Sequence, residues 1–323
     1  MPSIATTNRP LSIGDIVGRA FRIFRINLKL IAQVLLLPTI LLCLGRIGFI
    51  LGLTHLSKEA TGLAAGMAFL PTWGLIALIG CLLLLIGGFV LYLRQIALVR
   101  VFTGFAPNFI EANKFANTRL GSLIALSLAI FAAAILVMLI FAVAIGLSIA
   151  LFAGKGIFVA AGVVGLVIAG STGFLALLFV SVVSHMSLSS MAIEKDDLGT
   201  IISHSLSLSS RSFIRSILFY LLTTCAIALM AYPLSLPLVV ILIGYSVGQG
   251  IISGTHQSAS DLPIYLQIIS QVWEQLVSMI VTPISFTCFA LYYCDLRMRQ
   301  EGLDLIEKVE MMQAANSAEP EPQ

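Results

Sequence analysis

The sequence predicts an all-α integral membrane protein with six transmembrane helices, arranged as three hairpins that each follow a cytoplasmic interfacial amphipathic helix. Hydrophobic residues make up 59% of the 323 residues and charged residues 10%, whereas soluble domains are about 45–50% apolar and about 25% charged. Three amphipathic segments alternate with pairs of long apolar stretches. These stretches are residues 28–53, 73–101, 122–153, 157–183, 217–245 and 276–293.

Each apolar stretch is long enough for one span, because about 20 apolar residues cross a bilayer as a helix. The fifth stretch leaves an alternative open, since Pro233 and Pro237 interrupt it and could divide it into two spans. The second of those, 238–250, would be shorter than the usual minimum. We therefore favour one long helix that is kinked or broken at the prolines.

The distribution of basic residues also favours six spans over seven. In the six-span topology the opposite side of the membrane keeps only Arg46, Lys58 and Lys155 of the 18 Lys and Arg. Seven spans would move the basic residues that follow the last stretch to that side and weaken the bias. The positive-inside rule then places both termini in the cytoplasm, in a multi-pass protein of the cell inner membrane.

The amphipathic segments lie before the first, third and fifth apolar stretches and begin at about 12, 108 and 198. In the first, apolar side chains fall on one helix face, and Asp15, Arg19 and Arg22 fall on the other. Asn108 can cap the second, with Glu111 three residues further on. We expect all three to lie at the membrane interface.

This order predicts an internal repeat of one interfacial helix plus one hairpin, with units of about 12–103, 108–196 and 198–300. All three belong to a single transmembrane domain, 1–304, and 305–323 is expected to be a disordered cytoplasmic tail. The second helix of each hairpin is expected to extend past the membrane. These extensions are 94–102, 184–193 and 294–300.

Basic residues of the interfacial helices are candidates for contacts with lipid head groups or with a protein partner, because arginines are attracted to anionic head groups. The alternative is that these helices only orient the bundle. The candidate contacts are Arg19, Arg22, Arg25, Arg119 and Arg211.

Two pairs of glycines have the GxxxG spacing that lets helix backbones approach closely, Gly48 with Gly52 and Gly244 with Gly248. Small residues are common in membrane helices of every kind. Packing within the chain is therefore favoured over a dimer interface.

No catalytic, cofactor or metal motif is found, and no catalytic, cofactor-binding or metal-binding residues are predicted. The five cysteines are expected to be small buried hydrophobic residues. The residues that come closest to forming a polar site at the inner interface are Glu194, Asp196, Asp197 and His204. We favour a solvated turn for the acids.

The most distinctive segment follows the sixth stretch and reads YYCDLRMRQEGLDL, residues 292–305. Its charges are spaced to pair along a helix, Asp295 with Arg299 and Arg297 with Glu301. The two tyrosines are expected to lie at the lipid interface. The candidate structural or interaction motif is Tyr292, Tyr293, Asp295, Arg297, Arg299 and Glu301.

This closing segment resembles the end of the membrane domain of bacterial glycerophosphoryl diester phosphodiesterases, which also occurs in standalone uncharacterised membrane proteins. The opening Ser12, Ile13 and Gly14, followed by Phe21 and Arg22, is similar to the first helix of that family. In those enzymes a separate soluble domain with His and Glu metal-site motifs performs the chemistry. The sequence has no such motif, so the resemblance implies a shared membrane module without hydrolase activity.

Together these features favour a non-enzymatic inner-membrane scaffold or accessory subunit whose partners are membrane lipids and a protein at the cytoplasmic face. A transporter or channel for a small or lipidic solute is the alternative, because broken helices often line transport sites. A membrane lipid enzyme is the third. The formal net charge of +3 gives no reason to expect a nucleic-acid partner.

Overall fold

The structure is a computed structural model that describes residues 11–61, 70–152, 157–253 and 263–301. These ranges contain nine α-helices and no strand. In chain order they are α1 (Ile13–Ile26), α2 (Leu28–Thr61), α3 (Leu70–Phe102), α4 (Phe109–Thr118), α5 (Leu120–Phe152), α6 (Ile157–Ile193), α7 (Leu198–Arg211), α8 (Phe213–Ser253) and α9 (Ile264–Glu301).

Six of these helices are long and apolar enough to cross a membrane, which confirms the predicted fold class. In α5 none of the most apolar window, within Leu120–Leu151, is buried inside the protein. Apolar surface in water costs about 25 cal/mol per Å², so the exposed face of α5 is suited to lipid. The candidate spans are Leu28–Leu56, Thr72–Phe102, Leu120–Leu151, Phe158–Ile193, Phe213–Gly248 and Ile264–Gln300.

The fifth apolar stretch forms one continuous helix, α8, which has Pro233 and Pro237 in its interior. This agrees with the single-span interpretation. Between the two prolines, the carbonyl of Leu234 accepts a hydrogen bond of 2.9 Å from the indole Nε1 of Trp273 in α9. The contact satisfies the one polar group of a large aromatic side chain.

Each short helix is joined to the long helix after it by one non-helical residue. These residues are Asn27 before α2, Arg119 before α5 and Ser212 before α8. The side-chain oxygen of Asn108 accepts a 3.0 Å hydrogen bond from the backbone N–H of Glu111, as the sequence predicts for the start of α4. The order of short helix, linking residue and long helix therefore occurs three times. The second helices of the hairpins end at the expected residues or one beyond.

The described residues fall into two compact units. The first comprises 11–17, 99–152, 157–222 and 288–301, and includes α4, α5, α6 and α7. The second comprises 18–61, 70–98, 223–253 and 263–287, and includes α2. The predicted tail, 305–323, lies outside the described residues.

Within the second unit, α2 and α3 pack through their glycines. A Cβ added at Gly52 would lie 2.6 Å from the backbone N of Ala77, and one added at Gly80 would overlap the backbone N of Phe49. A Cβ at Gly48 would lie 3.5 Å from the Cα of Gly80. The first GxxxG pair therefore serves close packing within the chain.

The second GxxxG pair, Gly244 and Gly248 in α8, has a different environment. Among the described residues, no atom lies within 4 Å of a Cβ added at either glycine. The expectation that this pair packs within the chain is not supported. Spacing alone could not distinguish the two pairs, because the neighbouring helix is not encoded in the motif.

Replacement of Gly80 by Leu should destabilise the protein by about 1–3 kcal/mol, because overpacking displaces backbone that cannot relax cheaply. The matched control is Gly88→Leu on the same helix, where an added Cβ meets no atom within 4 Å. Thermal unfolding midpoints in mild detergent compare the two variants. Equal midpoints would contradict the close contact between α2 and α3.

Candidate functional site

Asp295 near the end of α9 is a fully buried carboxylate, with 0% of its side chain exposed. Its Oδ1 accepts a 2.8 Å hydrogen bond from the backbone N–H of Leu11. Its Oδ2 accepts hydrogen bonds from Nη2 of Arg215 at 2.8 Å and from Nε of Arg299 at 3.0 Å. Burial of a charge is tolerated only when it is paired and hydrogen-bonded. Asp295 therefore connects the chain before α1, the start of α8 and the end of α9.

Glu194, just after α6, is the second acid of this region, and only 9% of its side chain is exposed. Its Oε1 accepts a hydrogen bond of 2.5 Å from the hydroxyl of Tyr293. The same oxygen forms an ion pair with Nη1 of Arg297 at 2.9 Å. Its Oε2 accepts from the hydroxyl of Ser190 at 2.7 Å. Nδ1 of His204 in α7 lies 3.2 Å from the Tyr293 hydroxyl. We call Asp295, Glu194 and these partners of the two acids the helix-end cluster.

Tyr292 and Tyr293 are both completely buried, so the expectation that they anchor the helix at the lipid interface is wrong. The ring of Tyr292 stacks on Phe219 with 3.9 Å between centroids and an angle of 9° between planes. Its hydroxyl lies 3.1 Å from the hydroxyl of Ser216. An amphipathic ring at the end of a span suits a polar protein interior as well as a lipid interface, and the sequence does not distinguish these environments.

Arg119 and Arg100 bind the carboxyl-terminal end of α6 and the residues just after it. Arg119 donates to the carbonyls of Asp196 at 2.7 Å and Glu194 at 3.1 Å. Arg100 donates to the carbonyl of Ala192 at 2.9 Å. The last carbonyls of a helix lack intrahelical partners, and cations there also complement the helix dipole. Arg119 thus has a structural use that the sequence did not predict.

The ring of Phe115 fixes α4 to the same arginines. The guanidinium carbon of Arg100 lies 3.8 Å from the ring centroid and that of Arg119 lies 5.2 Å from it. Ala112 and Ala116 of α4 are buried. The short helix α4 is therefore held by its apolar face and by cation–π contacts.

The arginines of α1 have a different environment. Arg22 and Arg25 are exposed, and together with Phe21, Phe24 and neighbouring residues they line an open cleft of about 550 Å³. Arg211 at the end of α7 is also exposed, whereas Arg19 is half-buried. Of the five candidate contacts, Arg22, Arg25 and Arg211 are therefore exposed, Arg19 is half-buried, and Arg119 is used within the fold.

Of the two ion pairs predicted within the closing segment, the structure shows one. Asp295 and Arg299 form the expected pair. Arg297 instead lies against Glu194, and the side chain of Glu301 lies outside the described residues. The prediction that Arg297 pairs with Glu301 considered only neighbours along one helix.

Sequence reasoning underestimated Glu194, which it assigned to a solvated turn. The turn exists and exposes Asp196 and Asp197, but Glu194 is nearly buried. Sequence reasoning also predicted no role for Ser190, which donates to Glu194, or for Arg215, which pairs with Asp295. The available signal was the spacing of Ser190 and Glu194, which are one helical turn apart.

The cluster is arranged to connect helix ends. The Ser190 hydroxyl donates to the Glu194 carboxylate, and the Ser190 side chain is buried. Among the described residues, no group of three or more His, Cys, Asp or Glu could hold a metal ion.

No family model, curated protein or solved structure matches the chain. A function proposed for it must therefore rest on its own residues.

Replacement of Asp295 by Ala should lower stability by about 1–3 kcal/mol, because the backbone N–H of Leu11 and the half-buried guanidiniums of Arg215 and Arg299 lose their acceptor. Asp196→Ala is the control, since that side chain is exposed in the turn after α6. Thermal unfolding in detergent measures both. A D295A variant as stable as D196A would show that the buried pairing contributes nothing.

Replacement of Tyr293 by Phe removes only the hydroxyl that contacts Glu194, Ser190 and His204. We expect a loss of about 1–3 kcal/mol, the cost of leaving buried polar groups without a partner. Tyr232→Phe is the matched control, because Tyr232 is 68% exposed. The same unfolding assay applies, and equal effects of the two substitutions would refute a stabilising role for the Tyr293 hydroxyl.

Proposed function

We propose that this chain is a non-enzymatic membrane module that serves as a scaffold or accessory subunit and contacts anionic lipid head groups with its short helices. The observation that carries the proposal is the cleft on α1. Two exposed arginines, Arg22 and Arg25, stand there beside two half-buried rings, Phe21 and Phe24, immediately before the first candidate span.

The chemistry of this cleft suits the boundary between head groups and acyl chains. An interfacial helix places its apolar side chains at that boundary and its basic residues against the head groups. Each basic residue near an anionic leaflet contributes about 1 kcal/mol. A protein partner with an acidic surface at the cytoplasmic face would meet the same arginines.

The helix-end cluster supports the non-enzymatic part of the proposal. A serine nucleophile requires a hydrogen bond to its general base and access for the substrate. The hydroxyl of Ser190 is instead bonded to Glu194, and His204 contacts Tyr293. These hydrogen bonds give the polar side chains of the cluster a structural use, which is to join helix ends.

The same proposal includes the location and orientation of the protein. The bias of Lys and Arg in the sequence supports an inner-membrane protein with both termini in the cytoplasm. The short helices would then lie at the cytoplasmic face, where anionic lipids attract basic residues. The candidate partners are membrane lipids and a cytoplasmic-face protein, and no nucleic acid is invoked.

We also infer that the closing segment belongs to the membrane module that it resembles in the phosphodiesterase family. Supporting this, six residues of the segment have specific partners outside their own helix. Tyr292 contacts α8, Tyr293 and Arg297 contact Glu194, Asp295 contacts Leu11 and Arg215, Arg299 contacts Leu11, and Gln300 contacts Leu208 and Ser212. A segment with this many contacts to other parts of the chain is suited to hold the helices of a membrane module together.

The transport alternative rests on the three-hairpin repeat and on a fifth helix broken at its prolines. Because α8 is continuous through both prolines, the second of these grounds is weakened. The repeat fits a scaffold as well as a transporter, so transport stays a prediction from the sequence.

Charge reversal of Arg22 and Arg25 to Glu should strip anionic phospholipid from the protein, and a co-purifying protein partner with it, because the attraction becomes repulsion. Adding Arg19→Glu should extend the effect. Lys195→Glu is the control, because this exposed lysine lies in the turn between α6 and α7 and not on a short helix. The measurement is mass spectrometry of lipids and proteins retained after mild-detergent purification, for variants that insert normally. Unchanged lipid and partner content would sink the proposal.

A further inference from the structure

An apolar cavity lies within the first unit, between the hairpin α5–α6 and the short helix α7. Its volume is about 180 Å³, and it is open on one side, where Ala129, Ala133 and Leu206 are exposed. Ala129 and Ala133 of α5 form one wall, Val183 and Ser187 belong to α6, and Ile202 and Leu206 belong to α7. The small side chains of Ala129 and Ala133 are one helical turn apart, so they leave space that larger residues would fill.

The position of α7 explains why the cavity exists. The buried face of α7 consists of Ile201, Ser205, Leu208 and Ser209. Ile202 and Leu206 therefore point to a different side and line the cavity. The apolar pattern of α7 thus serves two surfaces, the core of the unit and this cavity.

The lining is unsuited to water. A water molecule held there would need two to four polar partners. Apart from Ser187, the cavity is lined by Ala, Val, Leu, Ile and Phe side chains. An apolar ligand therefore fits better than solvent.

Ser187 is the exception, and it points to a ligand with one polar group. Its side chain is buried, with the residue 1% exposed, and its Oγ has no hydrogen-bond partner among the described residues. Buried hydroxyls are nearly always hydrogen-bonded. A ligand that supplies an acceptor at this place would satisfy it.

The depth of Ser187 indicates what the acceptor is. Ser187 lies six residues before the end of α6 at Ile193, which is roughly 9 Å along the helix axis. Apart from Ile202 and Leu206 of α7, the cavity walls belong to the candidate spans Leu120–Leu151 and Phe158–Ile193. Because α6 is predicted to extend past the membrane from 184 onward, the hydroxyl lies at the inner boundary of the span, where a bilayer places the ester groups of its lipids.

We propose that this cavity binds one acyl chain of a membrane glycerophospholipid, and that the ester carbonyl of that chain accepts a hydrogen bond from Oγ of Ser187. The site goes beyond the head-group contacts of α1, since it recognises the tail and its ester and needs no head-group charge. It also lies on different helices from the cleft on α1.

The test uses the full-length protein in vesicles of zwitterionic phosphatidylcholine that contain a phosphatidylcholine with a diazirine on its acyl chain. After irradiation, mass spectrometry of peptides maps the label. We expect label on the α5 and α6 residues that line the cavity. Ala133→Trp fills the cavity and should reduce this label about tenfold. Ala132→Trp is the control, because Ala132 is exposed on the same helix and does not line the cavity.

The hydroxyl is tested separately, which keeps the proposal falsifiable if the tryptophan variant fails to fold. Ser187→Ala should reduce the label about fivefold through loss of one hydrogen bond. Ser181→Ala is its control on α6, since that hydroxyl bonds the carbonyl of Leu177. Label that is spread evenly along α5, or is equal in S187A and S181A, would overturn the proposal.

The charge-reversed variant of Arg22 and Arg25 distinguishes the two proposals. Because the probe lipid has no net charge, this variant should retain the label in the cavity even if it loses anionic lipid. Loss of cavity label in that variant would contradict an independent tail site. Retained label together with unchanged anionic lipid would support the tail site and reject the proposed function.

Discussion

The burial of Asp295 is the constraint on which the first unit depends. A carboxylate with no exposed surface must be compensated, and here two arginines and one backbone N–H do so. These partners come from the chain before α1, from α8 and from α9 itself. Glu194 repeats the arrangement for α6, α7 and α9. Ion pairs and hydrogen bonds thus join specific helix ends. The apolar surfaces of the helices could not select these partners, because apolar contacts are not directional.

Helices pack through small residues within the lipid and through polar contacts at their ends, and this difference follows from the solvent around each part of the helix. Between helices in lipid there is little hydrophobic driving force, so close packing depends on small residues such as Gly52 and Gly80. Toward the helix ends, buried hydrogen bonds and ion pairs have specific directions and specific partners. They therefore determine which helix ends meet, and the glycines determine how closely α2 and α3 approach.

The six spans, the short helices and the Asn108 cap were predictable because each depends on local composition or spacing. The pair of Asp295 and Arg299 was predictable for the same reason, being one turn apart on one helix. The contacts of Glu194 with Tyr293 and Arg297 were not, because those residues are about a hundred positions away in sequence. Likewise Ser187 in the sequence is one of many serines, and only the structure shows that it is buried beside a cavity.

The central claim is that Asp295 and Arg215 stabilise the fold through each other. A double-mutant cycle with Asp295→Asn, Arg215→Gln and the double variant, measured by unfolding in one detergent, tests it most directly. The account predicts a coupling free energy of about 1–3 kcal/mol, so the double variant loses clearly less than the sum of the two single variants. Strictly additive losses would contradict the claim and leave the arrangement of these helix ends without its proposed cause.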